Sequence, residues 1–276
     1  MSLLLHGDCL EHLHSVDDNS VDLIFCDLPY GQTSCKWDCK IDLTKLWDHF
    51  MRIKKLNTPL FFTTTTKFGC DLIQSAPKKC FFRYDLVWVK SAPAGFLSAK
   101  KMPMRKHEMV YVFYEKLPLY DLSSHTHKFI KERDAGQKNG SVYGGEEGKK
   151  LMEGKYDPPL PVSVVKEDLY GQNKEYKEKI YDDKYGKAGK NQVMYDPPLP
   201  VSMLEIKSTR GKHSTEKPVA LMEWILKYYS KEGDVVLDPT MGSGSTGVAC
   251  KNMNRNFIGI EMDAEIYEVA VNRVEK

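Results

Sequence analysis

The 276-residue chain reads as an α/β protein of Rossmann-like type, with a mostly parallel sheet whose two halves come in permuted order. Three observations carry that reading. The apolar run Val21-Asp22-Leu23-Ile24-Phe25-Cys26 has the length and composition of a buried parallel strand, and it stops at Asp27-Leu28-Pro29-Tyr30. A second strand, Val235-Val236-Leu237, runs directly into Asp238-Pro239-Thr240-Met241-Gly242-Ser243-Gly244-Ser245-Thr246-Gly247, where Gly242-x-Gly244-x-x-Gly247 has the spacing of a nucleotide-binding loop. Only fifteen residues follow Glu261, so the rest of the sheet must precede the loop.

Taken in order, Leu3-Leu4-Leu5 is the first strand, Gly7-Asp8-Cys9 a turn, and Leu10 to Val16 a short amphipathic helix. Residues 31–40 are polar and irregular. A helix near 43–55 carries Leu43, Leu46, Trp47 and Phe50 on one face. Leu60 to Thr64 is a strand, 67–76 a helix stopped by Pro77, and Tyr84 to Val89 a strand ending at Lys90. Glu108 to Tyr114 alternates as a strand near the sheet edge. Pro218 opens a helix from Val219 to Tyr229, with Val219, Met222, Leu226 and Tyr229 on one face. Val248-Ala249-Cys250 continues as a helix after the glycines, and Asn256 to Glu261 is the last strand.

Two stretches are read differently. Between Lys90 and His107 lies a loop of small residues, Phe96 and the basic cluster Lys100, Lys101, Arg105 and Lys106; it is either a solvated charge run or a phosphate-contacting loop. From 115 to 212 charge is dense, both signs mix and aliphatic runs are short. Here Tyr156-Asp157-Pro158-Pro159-Leu160-Pro161-Val162-Ser163 recurs as Tyr195-Asp196-Pro197-Pro198-Leu199-Pro200-Val201-Ser202, a local duplication. Both copies read as turns entering edge strands, Val162 to Val165 and Val201 to Ile206.

Bulk composition sets limits on function. With 41% hydrophobic residues the chain can bury a core. A net charge of +2 neither demands nor excludes nucleic acid, so any basic groove must come from local clustering. No run reaches the length of a membrane helix, and Met1 to Leu5 is cut off too early for a signal peptide. The seven cysteines are irregularly spaced; Cys35 and Cys39 lack a partner pair, so reduced thiols of a cytoplasmic protein are expected rather than a metal site.

In an open α/β sheet ligands collect at the carboxyl ends of strands. At one such end Asp27 offers an acceptor for N–H groups, Pro29 a rigid turn and Tyr30 a π-face for a planar ring. At the other, the glycines let backbone approach a ligand, and Glu261 stands nineteen positions after Gly242, where an acid that binds ribose hydroxyls is expected. No lysine follows the loop, so it is not a P-loop. Asp238 beside the ligand would repel a pyrophosphate and suits a cationic ligand such as S-adenosylmethionine.

These residues resemble a family. The order Asp27-Leu28-Pro29-Tyr30, variable segment, His213-Ser214-Thr215-Glu216-Lys217-Pro218, then Asp238 to Thr246 is similar to that of the β-class DNA amino-methyltransferases. The match takes in Gly7-Asp8-Cys9, Trp88-Val89-Lys90, His107-Glu108 to Phe113 and Phe257 to Asp263, and covers 3–114 and about 195–274. It departs at Leu28, where the family usually has proline; the backbone carbonyl used there is supplied by either residue.

The resemblance implies a permuted Rossmann-like methyltransferase fold with a mostly parallel seven-stranded sheet and an antiparallel edge strand. Residues 1–114 and 195–276 would form one catalytic domain, with 115–194 an inserted variable region for target recognition. The implied reaction moves a methyl group from S-adenosylmethionine, leaving S-adenosylhomocysteine, to an exocyclic amine of a base flipped out of double-stranded DNA. Catalysis would rest on Asp27, Leu28, Pro29 and Tyr30. An acid at the first position favours adenine N6, with cytosine N4 the alternative. A nicotinamide oxidoreductase and a non-catalytic DNA-binding module are the other classes weighed.

For the cofactor, Glu261 would hold the ribose hydroxyls and Asp8 and Cys9 the adenine edge. Lys217, with Ser214 or Thr215, would lie near the carboxylate. Pro218 and the loop residues Asp238, Pro239, Thr240, Gly242, Ser243, Gly244, Ser245 and Thr246, together with Asp27, Met262 and Asp263, complete that set. DNA contacts are expected from Lys90, Phe96, Lys100, Lys101, Arg105 and His107. The methyl is already activated, so no metal is implied. A homodimer and a cognate restriction enzyme are further partners the resemblance admits.

Overall fold

The computed structural model describes residues 1–31, 41–94, 101, 104–124, 126–132, 152–157, 205–206 and 216–276. The first half runs β1 (Ser2–His6), α1 (Cys9–His12) with a 3-10 turn at Leu13–Ser15, β2 (Leu23–Cys26), α2 (Leu43–Ile53), β3 (Leu60–Thr64), α3 (Thr66–Ser75), β4 (Phe81–Ala94) and β5 (Arg105–Tyr114). Two strands, β6 (Thr126–Glu132) and β7 (Met152–Asp157), then pair with each other. After the two-residue β8 (Glu205–Ile206) come α4 (Val219–Tyr229), β9 (Val235–Asp238), α5 (Ser245–Asn252), β10 (Asn256–Glu261) and α6 (Ala264–Glu275).

The main sheet has the order β1-β10-β9-β2-β3-β5-β4-β8. All pairings are parallel except those of β5, which runs against β3 and β4. The mostly parallel seven-stranded sheet expected from sequence is therefore present, with β8 added beside β4. Its antiparallel member lies one strand in from the end of the seven. The wholly buried β2 and β3 explain the continuous apolar runs that marked them, since strands covered on both faces need no alternation.

Helix starts follow local chemistry. Asp42 accepts from the amides of Thr44 and Lys45 at the head of α2, and Thr65 accepts from Phe68 N at the head of α3. Asp263 does the same for α6, accepting from Glu265 N and Ile266 N. From α2, Leu46, Trp47, Phe50 and Ile53 face the sheet, and the Trp47 ring meets Phe62 and Phe113 at centroid distances of 5.4 Å.

Three sequence expectations change. Lys90 to His107 is not a loop throughout: β4 continues to Ala94, which pairs with Arg105 at the start of β5. The hairpin register holds both strands together beyond the point where apolar alternation fades. The first copy of the duplicated segment begins as strand rather than turn, because β7 ends on Tyr156 and Asp157, opposite His127 and Thr126. Of the two edge strands expected after the copies, only Glu205–Ile206 falls among the described residues; it pairs with Val89 and Lys90.

The chain divides into two compact units. One comprises Met1–Leu119 and Ser163–Lys276 and contains the main sheet; the other, Tyr120–Val162, contains the β6–β7 hairpin.

Candidate active site

The carboxyl ends of β2 and β9 lie side by side. Leu23 pairs with Val236 and Ile24 with Leu237, so Asp27 and Asp238 leave the sheet as neighbours. Beyond β9 the connection goes to β10 and β1, and beyond β2 to β3, so the strand order diverges here, where an open sheet leaves a crevice. The Thr240 hydroxyl donates to the Asp27 backbone carbonyl at 3.2 Å and ties the two ends together.

The Asp27 carboxylate is held from three sides. Its Oδ1 accepts from the Tyr30 hydroxyl at 3.2 Å and from the Thr63 hydroxyl on β3. Its Oδ2 accepts from Lys217 Nζ at 2.5 Å. Thr63 is wholly buried, so its hydroxyl is fixed to this task. Leu28 turns its side chain into the core, at 2% exposure. The Tyr30 ring lies against Phe68 of α3, centroids 5.3 Å apart and 38° tilted. Burial, then the Asp27 charge, raises the Tyr30 phenol well above its usual value, so it stays a protonated donor.

Behind Asp27 the charges alternate. Lys217 Nζ lies 3.6 Å from Glu108 Oε2, and Lys90 pairs with Glu108 Oε1. The side chains of Lys217 and Glu108 are 11% and 13% exposed. Burial pulls the Lys217 ammonium down, but Asp27 and Glu108 outweigh it and leave the group above its ordinary value.

The glycine loop is shaped from within. Asp238, 2% exposed, accepts from Thr240 N at 3.1 Å and from the Thr246 hydroxyl at 2.6 Å. Its carboxylate therefore organises the loop. Burial lifts its pKa to about 7 against the pull of those two donors. Gly242 and Gly244 take left-handed backbone, φ 53° and 82°, which side chains disfavour. A Cβ on Gly247 would come within 2.7 Å of the Phe257 ring, so that position closes α5 onto β10.

At the end of β10 the Glu261 carboxylate accepts from Gly242 N at 3.0 Å and from Asp263 N at 2.8 Å. Burial raises its pKa. β1 brings the Asp8-Cys9 turn to the same edge: His6 pairs with Glu261, and Gly7 N donates to the Glu261 carbonyl at 2.9 Å. Asp8 caps α1 through Leu10 N. Burial pushes the Cys9 thiol up to about 12, leaving it a neutral wall group.

These residues fit S-adenosylmethionine. Space is open where a Gly242 side chain would stand, with nothing within 4 Å. Glu261, two bonds already made, keeps acceptor capacity for ribose hydroxyls. The loop from 238 to 247 carries no cation for a phosphate. Among the described residues no cluster of side chains could hold a metal ion.

Other sequence-predicted residues are placed as follows. Lys217 stands on Asp27 and Glu108, and Pro218 precedes α4. Pro239 and Ser245 lie in the loop, where the Ser245 hydroxyl donates to Glu216 at 3.4 Å. Arg273 of α6 binds both Ser243, at 2.7 and 2.8 Å, and Glu216, at 2.7 Å. Met262 is exposed and Asp263 caps α6. Lys90 is committed to Glu108; Lys101 and Arg105 are exposed, and His107 is half-buried in β5. Phe96, Lys100, Ser214, Thr215, Cys35 and Cys39 lie outside the described residues.

Sequence reasoning gave no site role to Thr63, Phe68 or Arg273, nor to Glu108 and Glu216, which stood in the matched motifs without one. Thr63 and Glu108 carried a readable signal, a polar residue inside an otherwise apolar strand pattern. Arg273 carried none, since the last helix was not foreseen.

The fold and site together are those of a nucleoside-binding methyltransferase. A family model described as DNA methylase, for N6 and N4 methyltransferases, matches residues 21–272. The chain belongs to this S-adenosylmethionine-dependent family, and the nicotinamide oxidoreductase weighed from glycine spacing is set aside. Type II methyltransferase M2.DpnII of Streptococcus pneumoniae is 45% identical over 71 residues, 26% of each chain. Such matches span about a quarter of those relatives' length. Type II methyltransferase M1.MboII of Moraxella bovis is 26% identical over 267 residues, 94% of this chain and 90% of that one. Two solved structures share the fold: an M1.HpyAVI–SAM complex (TM-score 0.58, 19% identity, covering 99% of this chain and 100% of that) and the cytosine-N4-specific PvuII DNA methyltransferase (TM-score 0.56, 15% identity, 99% and 86%).

Proposed function

We propose that the protein is a site-specific DNA methyltransferase acting on adenine N6 of an extruded base. The observation that supports this reading best is a carboxylate acceptor, Asp27, on the strand beside the glycine loop, tied to it through Thr240. When bound, S-adenosylmethionine supplies a methyl group activated by its sulfonium. The residues of the chain do the rest. The exocyclic amine is a poor nucleophile because its lone pair is delocalised into the ring. Hydrogen bonds from its N–H groups to Asp27 and the Leu28 carbonyl turn that lone pair toward the methyl; as the nitrogen–methyl bond forms, the methyl–sulfur bond breaks to leave S-adenosylhomocysteine, and the amine releases one N–H proton to solvent. Tyr30, braced by Phe68, stacks on the base, and Pro29 fixes the turn that presents all three.

In this reading Glu261 holds the ribose and the Asp8-Cys9 turn borders the adenine of the cofactor. Residues 115–194, with parts of 91–106, read the target sequence; exposed Lys101 and Arg105 contact DNA phosphates. Residues 1–114 and 195–276 form the catalytic domain. A cognate restriction enzyme and a homodimer belong to the same reading.

Cytosine N4 is the second reading, supported by the fold shared with the cytosine-N4-specific PvuII enzyme. Expression in a methylation-deficient host, followed by sequencing of modified bases, tests both. N6-methyladenine at one recurring sequence is the expected result; N4-methylcytosine supports the second reading, and no modified base overturns both.

A further inference from the structure

Lys217, expected from sequence near the cofactor carboxylate, is held in the structure by two acidic side chains. Its ammonium caps Asp27 Oδ2 at 2.5 Å and leans toward Glu108 Oε2 at 3.6 Å. A carboxylate offers about four acceptor sites. Among the described residues, Tyr30 and Thr63 take two on Oδ1 and Lys217 takes one on Oδ2. Among the described residues, that leaves a single site on Oδ2.

We propose that Lys217, steered by Glu108, is a positioning residue for methyl transfer: it pins the Asp27 carboxylate so that one acceptor site, on Oδ2, is left for the target amine. This inference rests on the proposed methyltransferase reading. It assigns roles to two residues outside the Asp-Leu-Pro-Tyr motif, one of them from the distant strand β5.

Three features carry it. First, the pair is partly withdrawn from water, the Lys217 and Asp27 side chains being 11% and 26% exposed, and withdrawing opposite charges contributes little net stability, because desolvation offsets attraction. An apolar pair would fill the same space without that cost, so retaining the ions points to a role in the site. Second, Glu108 is itself anchored. Lys90 holds its Oε1, while its buried Oε2 has no hydrogen-bond partner among the described residues and is left to attract Lys217. The ammonium is thus drawn from two directions and cannot follow Asp27 through alternative rotamers. Third, the elements differ: Lys90 sits on β4, Glu108 on β5, Lys217 just ahead of α4 and Asp27 after β2. Four separate elements fix one acceptor direction, as a transfer step needing near-attack geometry requires.

The reacting atoms do not involve the lysine. Its ammonium, held above its ordinary pKa, neither takes nor gives a proton in the transfer. Its contribution is geometric and electrostatic, acting through Asp27.

The test compares Lys217→Met, Lys217→Arg and Glu108→Gln with the wild-type chain. Readouts are single-turnover methyl transfer to a DNA duplex carrying the host-mapped site at saturating S-adenosylmethionine, and calorimetric binding of S-adenosylhomocysteine. Lys217→Met should slow transfer by about 100-fold, the scale of a misplaced reacting group. Its product affinity should stay within about threefold, because the binding contacts are untouched. Lys217→Arg, which keeps the cation, should recover at least about tenfold of that loss. Glu108→Gln should slow transfer about tenfold with affinity unchanged, and it reads the proposal independently if Lys217→Met does not fold.

Weakened binding with an unchanged saturated rate would instead assign the ammonium to the cofactor and overturn the proposal. So would variants that match wild type in both readouts. A wild-type chain that binds S-adenosylhomocysteine but methylates no DNA defeats the underlying reading, an outcome separate from either.

Discussion

Replacing Asp27 by alanine should damage transfer and folding at once, and the two losses should be separable. The Asp27 side chain is the nearest counter-charge of Lys217, whose own side chain is only 11% exposed. Removing it leaves a buried ammonium with Glu108 Oε2 at 3.6 Å as its remaining neighbour in the pair network. Breaking a buried pair from one side costs about 3–5 kcal/mol, because the orphaned charge stays desolvated. The 3.6 Å contact offsets part of that, which places the loss near the lower figure. At about 2–4 °C per kcal/mol for a domain of this size, the melting temperature should fall by about 10 °C.

Methyl transfer should fall by at least about 1000-fold, since the principal acceptor for the amine is gone. Affinity for S-adenosylhomocysteine should hold, because Glu261 and the glycine loop make no contact with the Asp27 carboxylate. The decisive comparison is the double variant Asp27→Ala/Lys217→Met, which removes both charges. It should recover most of the lost stability, yet none of the activity. Denaturant unfolding and incorporation of labelled methyl measure the two. If the double variant is no more stable than Asp27→Ala, the buried-pair reasoning is wrong; if Asp27→Ala still methylates DNA, its catalytic role is.

Gly247→Ala places a Cβ 2.7 Å from the Phe257 ring and 2.6 Å from Val274 Cγ2, and should cost about 1–3 kcal/mol of stability by overpacking α5 against β10; a melt unchanged within error would refute that packing role. Asp238 should make stability depend on pH. Its folded-state pKa of about 7 lies above the ordinary 3.8, so between those values the native state holds a proton the unfolded chain has released. Stability therefore falls as pH rises from about 4 to 7, by at most about 4 kcal/mol, and Asp238→Asn should flatten that slope in urea titrations. An equally steep slope in the variant would show that the decline comes from other groups.

Legibility followed the range of the interactions. Local signals served well: the apolar runs at 21–26 and 60–64, and the face of α4 beginning at Pro218, mark elements present in the structure. The last helix went unforeseen although Asp263 caps it, because its buried residues are few, Ala270 and Val274. The extension of β4 to Ala94 was hidden because only pairing with Arg105 holds that stretch in the sheet.

What the sequence determined by itself was the chemical inventory: a strand ending in acid-x-proline-aromatic, a strand ending in glycines, a ribose-type acid at the right distance, and the permuted order of the two. Short-range regularities encode these, since strand burial, turn geometry and backbone freedom depend on a few adjacent residues. What only the tertiary structure decided was which groups meet. Thr63 and Lys217 reach the one carboxylate at Asp27 from separate elements, and Glu108 reaches Lys217 from a third. The reason is that β2 pairs with β9 across more than two hundred intervening residues, so the arrangement depends on strand order and register, which no local stretch of the chain specifies.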